Sequence, residues 1–376
     1  MRPMEKRGIV VIGAGIAGAS VAAELAGSGQ DVLLLEREMA PGYHTTGRSA
    51  ALYAPSYGPK VIRALTRASR AAFQAPPTAE RPHPLLKPRG VLFLARPDQA
   101  DSFDAMAAEM DLTRLTPAQA LKRLPLLRSE ALHGALEDEQ AADIDVDALH
   151  RQYLRQLTAM GGEMRLRAEV TGLSRDGAGW RIETPLGAIA ADIVVNASGA
   201  WADDLARAAG VAPVGLVPKR RTAILVSPPV GAEVDGWPMA VDIDEQFYLR
   251  PDAGKLLLSP ADETPSAPCD AQPDEWDVAV CVDRIQTAFD LPVRRIEHKW
   301  AGLRSFVADK APVVGYAADA PGFFWLAGQG GYGIQSAPAL ARAAAALVLG
   351  QPIPPDIAAE GVTADALAPR REALVA

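Results

Sequence analysis

Three glycines near the start of the chain, at positions 13, 15 and 18, have the spacing of a phosphate-binding turn. Residues 8–12 before them form a short apolar, β-branched run typical of a buried strand, and residues 19–29 after them are alanine-rich with helical spacing. A turn between a strand and a helix presents the free N–H groups and partial positive charge of the helix N-terminus to an anion. This arrangement predicts binding of a pyrophosphate.

Each glycine of this turn has a separate geometric task. Gly13 permits the tight turn, Gly15 lets the backbone approach a pyrophosphate, and Gly18 lets the helix pack closely on the strand. Glu36 ends a second apolar run at residues 31–35 and lies 23 positions after Gly13, where it can accept both ribose hydroxyls of an adenosine. An acid there disfavours a 2′-phosphate. The unit predicts a dinucleotide and leaves NAD and FAD open, with a glycine turn that binds no nucleotide as the structural alternative.

Other arrangements of catalytic side chains are poorly supported. The five histidines show no i, i+4 pair and no neighbouring carboxylate motif, which disfavours a zinc site or a Ser-His-Asp hydrolase. Cys269 and Cys281 are too few for a disulfide framework or a structural zinc site. We therefore expect no metal and a reducing, cytoplasmic compartment.

The composition sets the scale of the elements that must position this turn. The chain has 376 residues, of which 49% are hydrophobic and 22% charged, so two sizeable cores are expected rather than a disordered, collagen-like or coiled-coil chain. A formal net charge of −8 and the lack of a basic run disfavour nucleic acid and anionic membranes as partners. No apolar run reaches the roughly 18 residues that an integral membrane segment needs.

Three further strings decide between the two dinucleotides. Residues 36–50 continue the second strand into a loop rich in glycine and threonine, residues 194–203 read VVNASGAWAD, and residues 328–335 read GQGGYGIQ ahead of an alanine-rich helix. Together they resemble the D-amino acid oxidase superfamily of FAD-dependent oxidoreductases, and within it the bacterial D-arginine dehydrogenases. Four more strings carry the second likeness: residues 83–86, 218–221, 247–249 and 300–309.

The resemblance implies an α/β fold, α+β overall, with two domains whose segments alternate along the chain. A Rossmann-like FAD-binding domain with a parallel sheet would comprise residues 1–84, 146–217 and 303–376. A substrate-binding domain with a large antiparallel sheet would comprise residues 85–145 and 218–302. Strand-like runs in the substrate segments agree with this division. They lie at residues 90–95, 222–227, 246–250 and 255–259.

The resemblance also implies how a substrate amine would be oxidised, by hydride transfer to the flavin. Arg221 and Arg304 would bind the substrate carboxylate, Arg304 foremost because a planar guanidinium pairs bidentately with a carboxylate. Tyr248 would add a hydroxyl, and Tyr57 would close the other side of the pocket. The sequence offers no evident general base, so water or the neutral fraction of the amine is expected to suffice.

The cofactor site implied by the resemblance would hold FAD without a covalent bond, since neither cysteine lies where some relatives tether the flavin. The helix that follows residues 330–335 would direct its N-terminal dipole at the flavin, and His44 and Trp201 would pack beside it. The strand-like residues 169–171 would contact the adenine. The expected cofactor-binding residues are Gly13, Gly15, Ala17, Gly18, Glu36, Arg37, Thr45, Thr46, Gly47, Arg48, Ser49, Ala50, Val170, Gly330, Gly331, Tyr332, Gly333, Ile334 and Gln335.

The expected substrate pocket, at Leu52, Ala54, Val91 and Gly331, departs from the D-arginine dehydrogenases. Those enzymes have histidine and threonine in place of Leu52 and Ala54, and a glutamate that meets the substrate guanidinium in place of Val91. Without that carboxylate a buried guanidinium would be heavily penalised, whereas an apolar side chain would be accommodated. We therefore expect D-amino acids with apolar or neutral side chains, or D-proline-like substrates, to be preferred over D-arginine.

Three alternatives stay open. A flavin oxidoreductase of glycine, sarcosine or 2-hydroxy acids would use the same frame, a nucleotide-binding sensor or subunit would use the cofactor site without turnover, and an NAD-dependent dehydrogenase is weakened by the loop after Glu36. The expected partners are a small amino acid and an unidentified electron acceptor, either a quinone or a redox protein. A quinone would imply transient contact with the inner membrane. The resemblance favours a dehydrogenase over an oxidase.

Overall fold

Three sheets and twelve helices form the part of the chain that the computed structural model describes, residues 4–78 and 81–375. The strands are β1 (Glu5–Ile12), β2 (Val32–Leu35), β3 (Leu52–Tyr53), β4 (Leu86–Pro88), β5 (Val91–Ala95), β6 (Thr113–Leu115), β7 (Gly134–Asp138), β8 (Ala142–Ile144), β9 (Glu163–Arg165), β10 (Gly172–Asp176), β11 (Gly179–Thr184), β12 (Gly187–Asn196), β13 (Val217–Val226), β14 (Met239–Asp242), β15 (Tyr248–Asp252), β16 (Lys255–Ser259), β17 (Thr264–Pro265), β18 (His298–Phe306), β19 (Val313–Tyr316) and β20 (Phe323–Ala327). The helices are α1 (Ile16–Gly27), α2 (Lys60–Ala68), α3 (Arg70–Phe73), α4 (Ala100–Glu109), α5 (Pro117–Arg123), α6 (Val146–Ala159), α7 (Ala202–Ala208), α8 (Glu275–Ala288), α9 (Gly333–Val348), α10 (Pro355–Ala359), α11 (Ala364–Leu367) and α12 (Glu372–Val375). Short 3-10 helices lie at Pro97–Gln99, Ser129–Ala131 and Gly199–Trp201.

The first sheet has eight strands and is parallel at its centre. β1 lies between β12 and β2, β2 also pairs with β9, and all three pairings are parallel. The long strand β12 pairs with β11 antiparallel along its first part and with β20 parallel along its last residues. The carboxyl ends of β1, β2 and β12 therefore meet at one edge of the sheet, where the glycine turn begins.

Both faces of this sheet are buried, as the continuous apolar run in the sequence predicts. In β1, Ile9 and Val11 face a core that includes α1, α6 and α9, whereas Val10 and Ile12 face a second core on the other side of the sheet. The alternation of side chains across a strand explains why neighbouring residues belong to different cores. The strand that carries the glycine turn is thus fixed from both sides.

The second sheet has nine strands and is mostly antiparallel. Its strand order is β17-β13-β16-β15-β14-β5-β7-β6, with β18 also paired to β13, and the pairing of β14 with β5 is parallel. Helix α8 packs on one face of this sheet through Val278, Cys281 and Ile285. The opposite face carries Arg221 on β13 and Arg304 on β18 toward the first sheet. A third, antiparallel sheet contains β3, β8 and β4.

Segments of the two large sheets alternate along the chain. The first sheet takes its strands from residues 5–35, 163–196 and 313–327, and the second from residues 91–138 and 217–306. Parallel and antiparallel sheets packed with helices form the mixed α/β fold that the resemblance implies. The limits of the two domains stay a proposal.

Three details differ from the sequence expectations. The limit expected at residue 303 falls inside β18, so that strand runs past it. Residues 169–171 belong to no strand and connect β9 to β10, shortly after Arg167, whose φ is +53°. Helix α9 begins at Gly333, inside the string at residues 330–335 that is expected to precede it, and three short helices follow it. None of the helices within the described ranges has both the length and the apolar character needed to cross a bilayer.

Candidate cofactor and substrate site

A cavity of about 380 Å³ opens at the carboxyl ends of β1, β2 and β12 and faces the second sheet. This edge is where open α/β sheets bind their ligands, since the turns there lead into helix N-termini. We call this space the large cavity. Its walls come from within residues 12–17, 35–37, 42–50, 168–173, 197–208, 302–305 and 328–334, and from Arg221, Ala223 and Tyr248.

The glycine turn forms one wall of the large cavity and has no room for side chains. Gly13 has a φ of +101°, and a Cβ placed on it would lie 2.6 Å from the carbonyl oxygen of Ala197. A Cβ on Gly18 would lie 1.8 Å from the carbonyl oxygen of Gly13. Helix α1 begins directly after Gly15, which supplies no side-chain cap. The helix N-terminus is therefore brought close to the cavity with its dipole directed into it.

Glu36 holds this turn from the end of β2. Its Oε2 accepts a hydrogen bond of 2.9 Å from the backbone N–H of Ala14, and its Oε1 accepts one of 2.9 Å from that of Glu38. The side chain is buried and borders the large cavity. Each carboxylate oxygen can accept a further hydrogen bond, so ribose hydroxyls remain possible partners.

The loop at residues 42–50 is tied to both sheets. Thr46 Oγ1 accepts a hydrogen bond of 3.0 Å from Ile16 N–H at the start of α1, and Thr45 Oγ1 donates one of 2.7 Å to the carbonyl of Leu303 on β18. The Arg48 guanidinium turns away from the cavity centre. It binds the carbonyls of Ala271 and Ala301 at 3.0 and 2.9 Å and pairs with Asp270. Arg48 therefore anchors the loop rather than presenting its charge to the cavity.

Three side chains cover the large cavity near Glu36. The Arg37 guanidinium lies 4.1 Å from the ring centroid of Trp201, and the His44 ring lies 4.8 Å from the same ring. His44 Nε2 is 2.9 Å from Glu38 Oε1. Partial burial opposes ionisation of Glu38, but hydrogen bonds from Arg37 and His44 outweigh it and hold the pKa of that carboxyl below its ordinary value. The cover is thus held together by charge and by aromatic packing.

Unpaired polar atoms show what kind of ligand the large cavity fits. His44 Nδ1 and Gln329 Nε2 are buried and have no hydrogen-bond partner among the described residues, and both side chains border this cavity. A buried polar atom without a partner costs about 1–3 kcal/mol, so such atoms point to a polar ligand. Together with the glycine turn, the helix N-terminus and Glu36, they fit the phosphates, ribose and flavin of FAD.

Arg221 and Arg304 reach the large cavity from neighbouring strands. Arg221 pairs in register with Gly302, and Lys219 pairs with Arg304, so both arginines lie on the same face of the sheet. Arg221 donates a hydrogen bond of 2.9 Å to the carbonyl of Asp262 and lies 3.4 Å from Glu263. Burial and the nearby Arg304 charge lower the pKa of Arg221.

The Arg304 guanidinium has no such partner. Among the described residues it donates no hydrogen bond and forms no ion pair. Burial opposes its positive charge, but Tyr248, Tyr57 and Glu245 nearby favour that charge and leave the pKa of Arg304 raised. A Cβ on Gly331 would lie 2.7 Å from Arg304 Nη1, so the backbone of the last loop lies against the guanidinium. A partly buried cation without an anionic partner among the described residues is the central feature of the site.

A second, smaller cavity of about 50 Å³ adjoins Arg304. We call it the small cavity. Leu52, Ala54, Val91, Tyr57 and Gly331, all expected at the substrate, border it together with Tyr248. Sequence reasoning missed Ala51, in the loop before β3, and three further lining residues on β5 and β14, which are Phe93, Met239 and Val241.

Strand register explains why these three side chains join Val91. In the parallel pair of β5 and β14, Met239 lies beside Val91 and Val241 beside Phe93. Residues two apart on a strand share a face, so Phe93 could have been inferred from Val91 by alternation. Met239 and Val241 could not, because the sequence does not reveal which strand pairs with β5.

Tyr57 closes the small cavity and keeps its proton. Burial is the main cause, and the nearby carboxylate of Glu245 a further one, that raises the pKa of Tyr57 to about 12. The loop that carries Tyr57 is held by Gln335, whose Oε1 accepts a hydrogen bond of 3.2 Å from Ala54 N–H and whose Nε2 donates one of 3.2 Å to the Tyr57 carbonyl. Tyr57 is therefore a hydrogen-bond donor at any neutral or mildly alkaline pH.

Most of the residues expected from sequence meet at the two cavities. Gly18, Gly47 and Tyr332 border neither, since the first two support turns and Tyr332 packs against Tyr57 with ring centroids 5.2 Å apart. Gln335 borders the small cavity, on the substrate side. The residues that border the large cavity as expected are Gly13, Gly15, Ala17, Glu36, Arg37, Thr45, Thr46, Arg48, Ser49, Ala50, Val170, Arg221, Tyr248, Arg304, Gly330, Gly331, Gly333 and Ile334.

Neither a metal-ligand cluster nor a cysteine borders the two cavities in the part of the chain that the structure describes. Within residues 4–78 and 81–375, no group of three or more His, Cys, Asp or Glu side chains is placed to hold a metal ion. Cys269 is exposed, Cys281 is buried under the second sheet, and both are free thiols. Neither borders a cavity.

Comparison with known proteins identifies the family of this chain. The profile of the family described as "DAO: FAD dependent oxidoreductase" matches residues 8–347. The tRNA 5-methylaminomethyl-2-thiouridine biosynthesis bifunctional protein MnmC of Burkholderia vietnamiensis is 28% identical in an alignment of 351 residues that covers 84% of this chain and 49% of that protein. The chain therefore spans about half the length of that relative.

Solved structures share the fold. The structure of glycine oxidase from Geobacillus kaustophilus has a TM-score of 0.80 at 22% identity and covers 93% of this chain and 96% of its own. That of L-proline dehydrogenase from P. horikoshii has a TM-score of 0.79 at 22% identity and covers 94% and 96%. With the family match over most of the chain and a cavity whose residues fit the cofactor, this protein belongs to the DAO family of FAD-dependent oxidoreductases, and its cofactor is FAD.

Proposed function

We propose that this protein is an FAD-dependent D-amino acid dehydrogenase that prefers apolar or neutral side chains. It would convert a D-amino acid to an imino acid, which water hydrolyses to a 2-oxo acid and ammonia. The observation that carries the proposal is Arg304, a partly buried guanidinium without a partner among the described residues, placed where the large cavity meets the small apolar one. An amino acid supplies both a carboxylate for the Arg304 guanidinium and a side chain for the small cavity.

The carboxylate would bind chiefly to Arg304. Two parallel N–H···O bonds from one guanidinium fix a carboxylate in position and plane. Arg221 would contribute charge from the side, because its Nε already serves the carbonyl of Asp262. Tyr248 and Tyr57 border the same space and would donate hydroxyl hydrogen bonds. We propose Arg304, Arg221, Tyr248 and Tyr57 as the substrate-binding set.

The proposed reaction requires little acid–base catalysis by side chains of the protein. Bound FAD supplies the acceptor for the hydride that leaves the α-carbon. The substrate nitrogen gives a proton to water, a C=N bond forms, and a further water releases ammonia. Tyr57 keeps its proton because its pKa is raised to about 12, so it orients the substrate rather than accepting a proton. The chain's residues thus bind and align, which is where most of the rate gain would arise.

The small cavity supports a substrate with an apolar side chain. A volume of about 50 Å³ gives room for roughly three to five groups the size of a water molecule or a methyl. Leu52, Ala54, Val91 and Met239 line it, and no acidic side chain does so among the described residues. A cationic side chain would be buried there without a carboxylate, at a penalty of several kcal/mol.

The relatives support an amine substrate without fixing its identity. Glycine oxidase and L-proline dehydrogenase, by their names, act on amino acids, and the likeness to D-arginine dehydrogenases stated above motivates the D configuration and the preference for an acceptor other than oxygen. A glycine, sarcosine or 2-hydroxy acid oxidoreductase is the second candidate. The small cavity counts against glycine and sarcosine, which have no side chain to fill it, whereas a 2-hydroxy acid with an apolar side chain would fill it, so turnover must separate that class from amino acids.

Recognition of tRNA, suggested by the name of the MnmC relative, is disfavoured. The chain has a formal net charge of −8, and phosphate backbones are bound by excess positive charge. We also propose that FAD is held without a covalent bond, since Cys269 and Cys281 lie away from both cavities.

A turnover screen with an artificial electron acceptor tests the proposal. The panel contains D-leucine, D-methionine, D-phenylalanine, D-proline, D-arginine, L-leucine, glycine, sarcosine and a 2-hydroxy acid. We expect an apolar D-amino acid to have the highest kcat/KM and to exceed D-arginine by at least about 100-fold, the scale of an unpaired buried charge. Preference for D-arginine or for glycine would contradict it, and no turnover of any member would support a nucleotide-binding subunit.

A further inference from the structure

His150 lies beneath the glycine turn, outside both cavities. It belongs to α6, and its side chain is buried. Its Nε2 is 2.9 Å from the carbonyl oxygen of Ala14, the residue between the first two glycines of the turn. A carbonyl oxygen only accepts hydrogen bonds, so Nε2 carries the proton and donates it.

The backbone of Ala14 is therefore held at both its N–H and its C=O. Its N–H donates to Glu36 Oε2 at 2.9 Å, and its C=O accepts from His150 Nε2 at 2.9 Å. Glu36 directly follows β2 and His150 lies on α6, and both of these elements contact α1. Because the turn contains Gly13 and Gly15, whose backbones are intrinsically flexible, two fixed hydrogen bonds to the residue between them restrict its conformation.

The same imidazole ring touches the second cofactor loop. A Cβ on Gly42 would lie 3.0 Å from His150 Cε1 and 3.4 Å from Thr46 Cγ2, so loop and ring are in close contact. The carbonyl of Gly42 accepts a hydrogen bond of 2.7 Å from Gly47 N–H and thereby closes the loop. One buried side chain thus supports the glycine turn and the loop at residues 42–50.

The ring does this as a neutral group. Burial, the largest cause, lowers the pKa of His150, while the Ala14 carbonyl and the carboxylates of Asp147 and Glu36 partly oppose that shift. A neutral imidazole with its proton on Nε2 satisfies the Ala14 carbonyl without placing a full charge below the turn. This hydrogen bond is consequently available throughout the neutral pH range.

We infer that His150 is a positioning residue for FAD, holding the glycine turn against the loop at residues 42–50 so that both keep their cofactor-binding shape. It contacts neither the cofactor space nor the substrate space directly. Its loss should speed FAD release while leaving the activity of each enzyme molecule that still holds FAD unchanged. The inference rests on the cofactor and is independent of the substrate proposed above.

The test compares FAD release from holoenzymes of wild type, His150→Phe and His150→Gln, followed by the rise of free flavin fluorescence after dilution. His150→Phe keeps a ring but removes the donor, whereas His150→Gln places an amide N–H near the position of Nε2. We expect release to be about tenfold faster for His150→Phe and within threefold of wild type for His150→Gln. Tyr153→Phe on the same helix is the control and should release FAD at the wild-type rate.

Two results would overturn the inference. The first is release from His150→Phe at the wild-type rate, which would make His150 a packing residue only. The second is equally fast release from both variants, which would deny a role to the hydrogen bond. If His150→Phe does not accumulate as holoenzyme, His150→Gln decides alone, because tenfold faster release from it contradicts the inference and release within threefold of wild type supports it.

Discussion

The large and the small cavity are built from different parts of the chain. The large cavity is bordered mainly by turns and loops. Glycines in these segments leave space for a ligand, and side chains such as Glu36 and Thr46 hydrogen-bond the segments to one another. About half of the residues that border the small cavity lie on strands, including Val91 on β5 and Met239 on β14. Six of the described residues border both cavities, which are Ser49, Ala50, Tyr248, Arg304, Gly331 and Ile334.

This difference separates two properties of the enzyme. Space at a glycine is fixed by the path of the backbone, so a substitution in the large cavity disturbs the turn itself. Space beside a strand is fixed by side-chain volume, so a substitution in the small cavity changes the shape of the pocket and leaves the fold in place. Cofactor binding should therefore be fragile and nearly all-or-none, whereas substrate choice should be graded.

The largest effect is expected at Gly18. A Cβ there would lie 1.8 Å from the Gly13 carbonyl oxygen, so Gly18→Ala must push α1 away from the turn. We expect the variant to lose FAD, with an affinity lowered at least about 100-fold. The flavin absorbance of the purified protein measures this.

Gly27→Ala on the same helix is the matched control. Its Cβ would lie 3.8 Å from Gln156 Nε2, an ordinary contact, so this variant should keep its FAD. A yellow Gly18→Ala protein, or a colourless Gly27→Ala protein, would break the link between backbone clearance and cofactor binding.

The next effect is expected where the cavities meet. Arg304→Lys keeps the positive charge but removes the planar fork, so we expect kcat/KM for an apolar D-amino acid to fall about 100-fold with FAD content unchanged. Arg220→Lys is the control, because Arg220 lies on the opposite face of the sheet and pairs with Asp277 at 2.7 Å. Equal losses in the two variants would mean that Arg304 acts through stability and not through the substrate.

Filling the small cavity should change selectivity rather than activity as a whole. Ala54 is buried at its wall, so Ala54→Leu would occupy the space expected for a substrate side chain. We expect kcat/KM for D-leucine to fall about tenfold or more and that for D-alanine to stay within about threefold. Met239→Leu, which conserves volume, should preserve the ratio of the two. A proportional loss for both substrates in Ala54→Leu would place the side chain elsewhere.

The smallest effect is expected at Tyr57. Burial, with help from Glu245, raises its pKa from 10.0 to about 12, so its hydroxyl stays protonated up to pH 10. Removing one neutral hydrogen bond in Tyr57→Phe should lower kcat/KM about three- to tenfold and leave the shape of the pH profile up to pH 10 unchanged. Tyr53→Phe, whose hydroxyl meets Arg70 instead, is the control.

The sign of this shift also predicts a pH dependence of stability. Because the folded-state pKa of Tyr57 lies above its ordinary value of 10.0, the neutral side chain contributes stability that is complete below pH 10 and is lost as the pH rises toward 12. Tyr57→Phe should therefore resist alkaline unfolding better than wild type. An activity limb between pH 7 and 10 that disappears in Tyr57→Phe would contradict the assignment.

The residues that border the large cavity could be predicted from the sequence more completely than those that border the small cavity, and the reason is physical. Turns that approach a pyrophosphate demand glycine at set spacings, and Glu36 must follow at the end of the next strand, so both leave a readable pattern. Met239 leaves none, because it joins Val91 only through a pairing of strands nearly 150 residues apart along the chain. The role of His150 could not be predicted either, because the sequence around a single histidine in a helix does not indicate which backbone carbonyl its side chain contacts.

Some details were missed because tertiary contacts decide them. The side chain of Arg48 was expected at the cofactor, yet Asp270 and the carbonyls of Ala271 and Ala301 draw it toward the second sheet. Gln335 was grouped with the cofactor residues, yet it hydrogen-bonds the loop of Tyr57 and borders the small cavity. Motif membership places a residue near a site, but the direction of its side chain depends on neighbours that the motif does not contain.

The most direct test of the account is the reduction of enzyme-bound flavin by single amino acids without oxygen or any other acceptor. Absorbance of the holoenzyme is followed after anaerobic mixing with D-leucine, L-leucine, glycine or D-arginine. We predict rapid bleaching of the flavin by D-leucine and at least about 100-fold slower bleaching by D-arginine at equal concentration, with L-leucine and glycine also slower. Bleaching by D-arginine or glycine as fast as by D-leucine would contradict the central claim that Arg304 and the small apolar cavity together select the substrate.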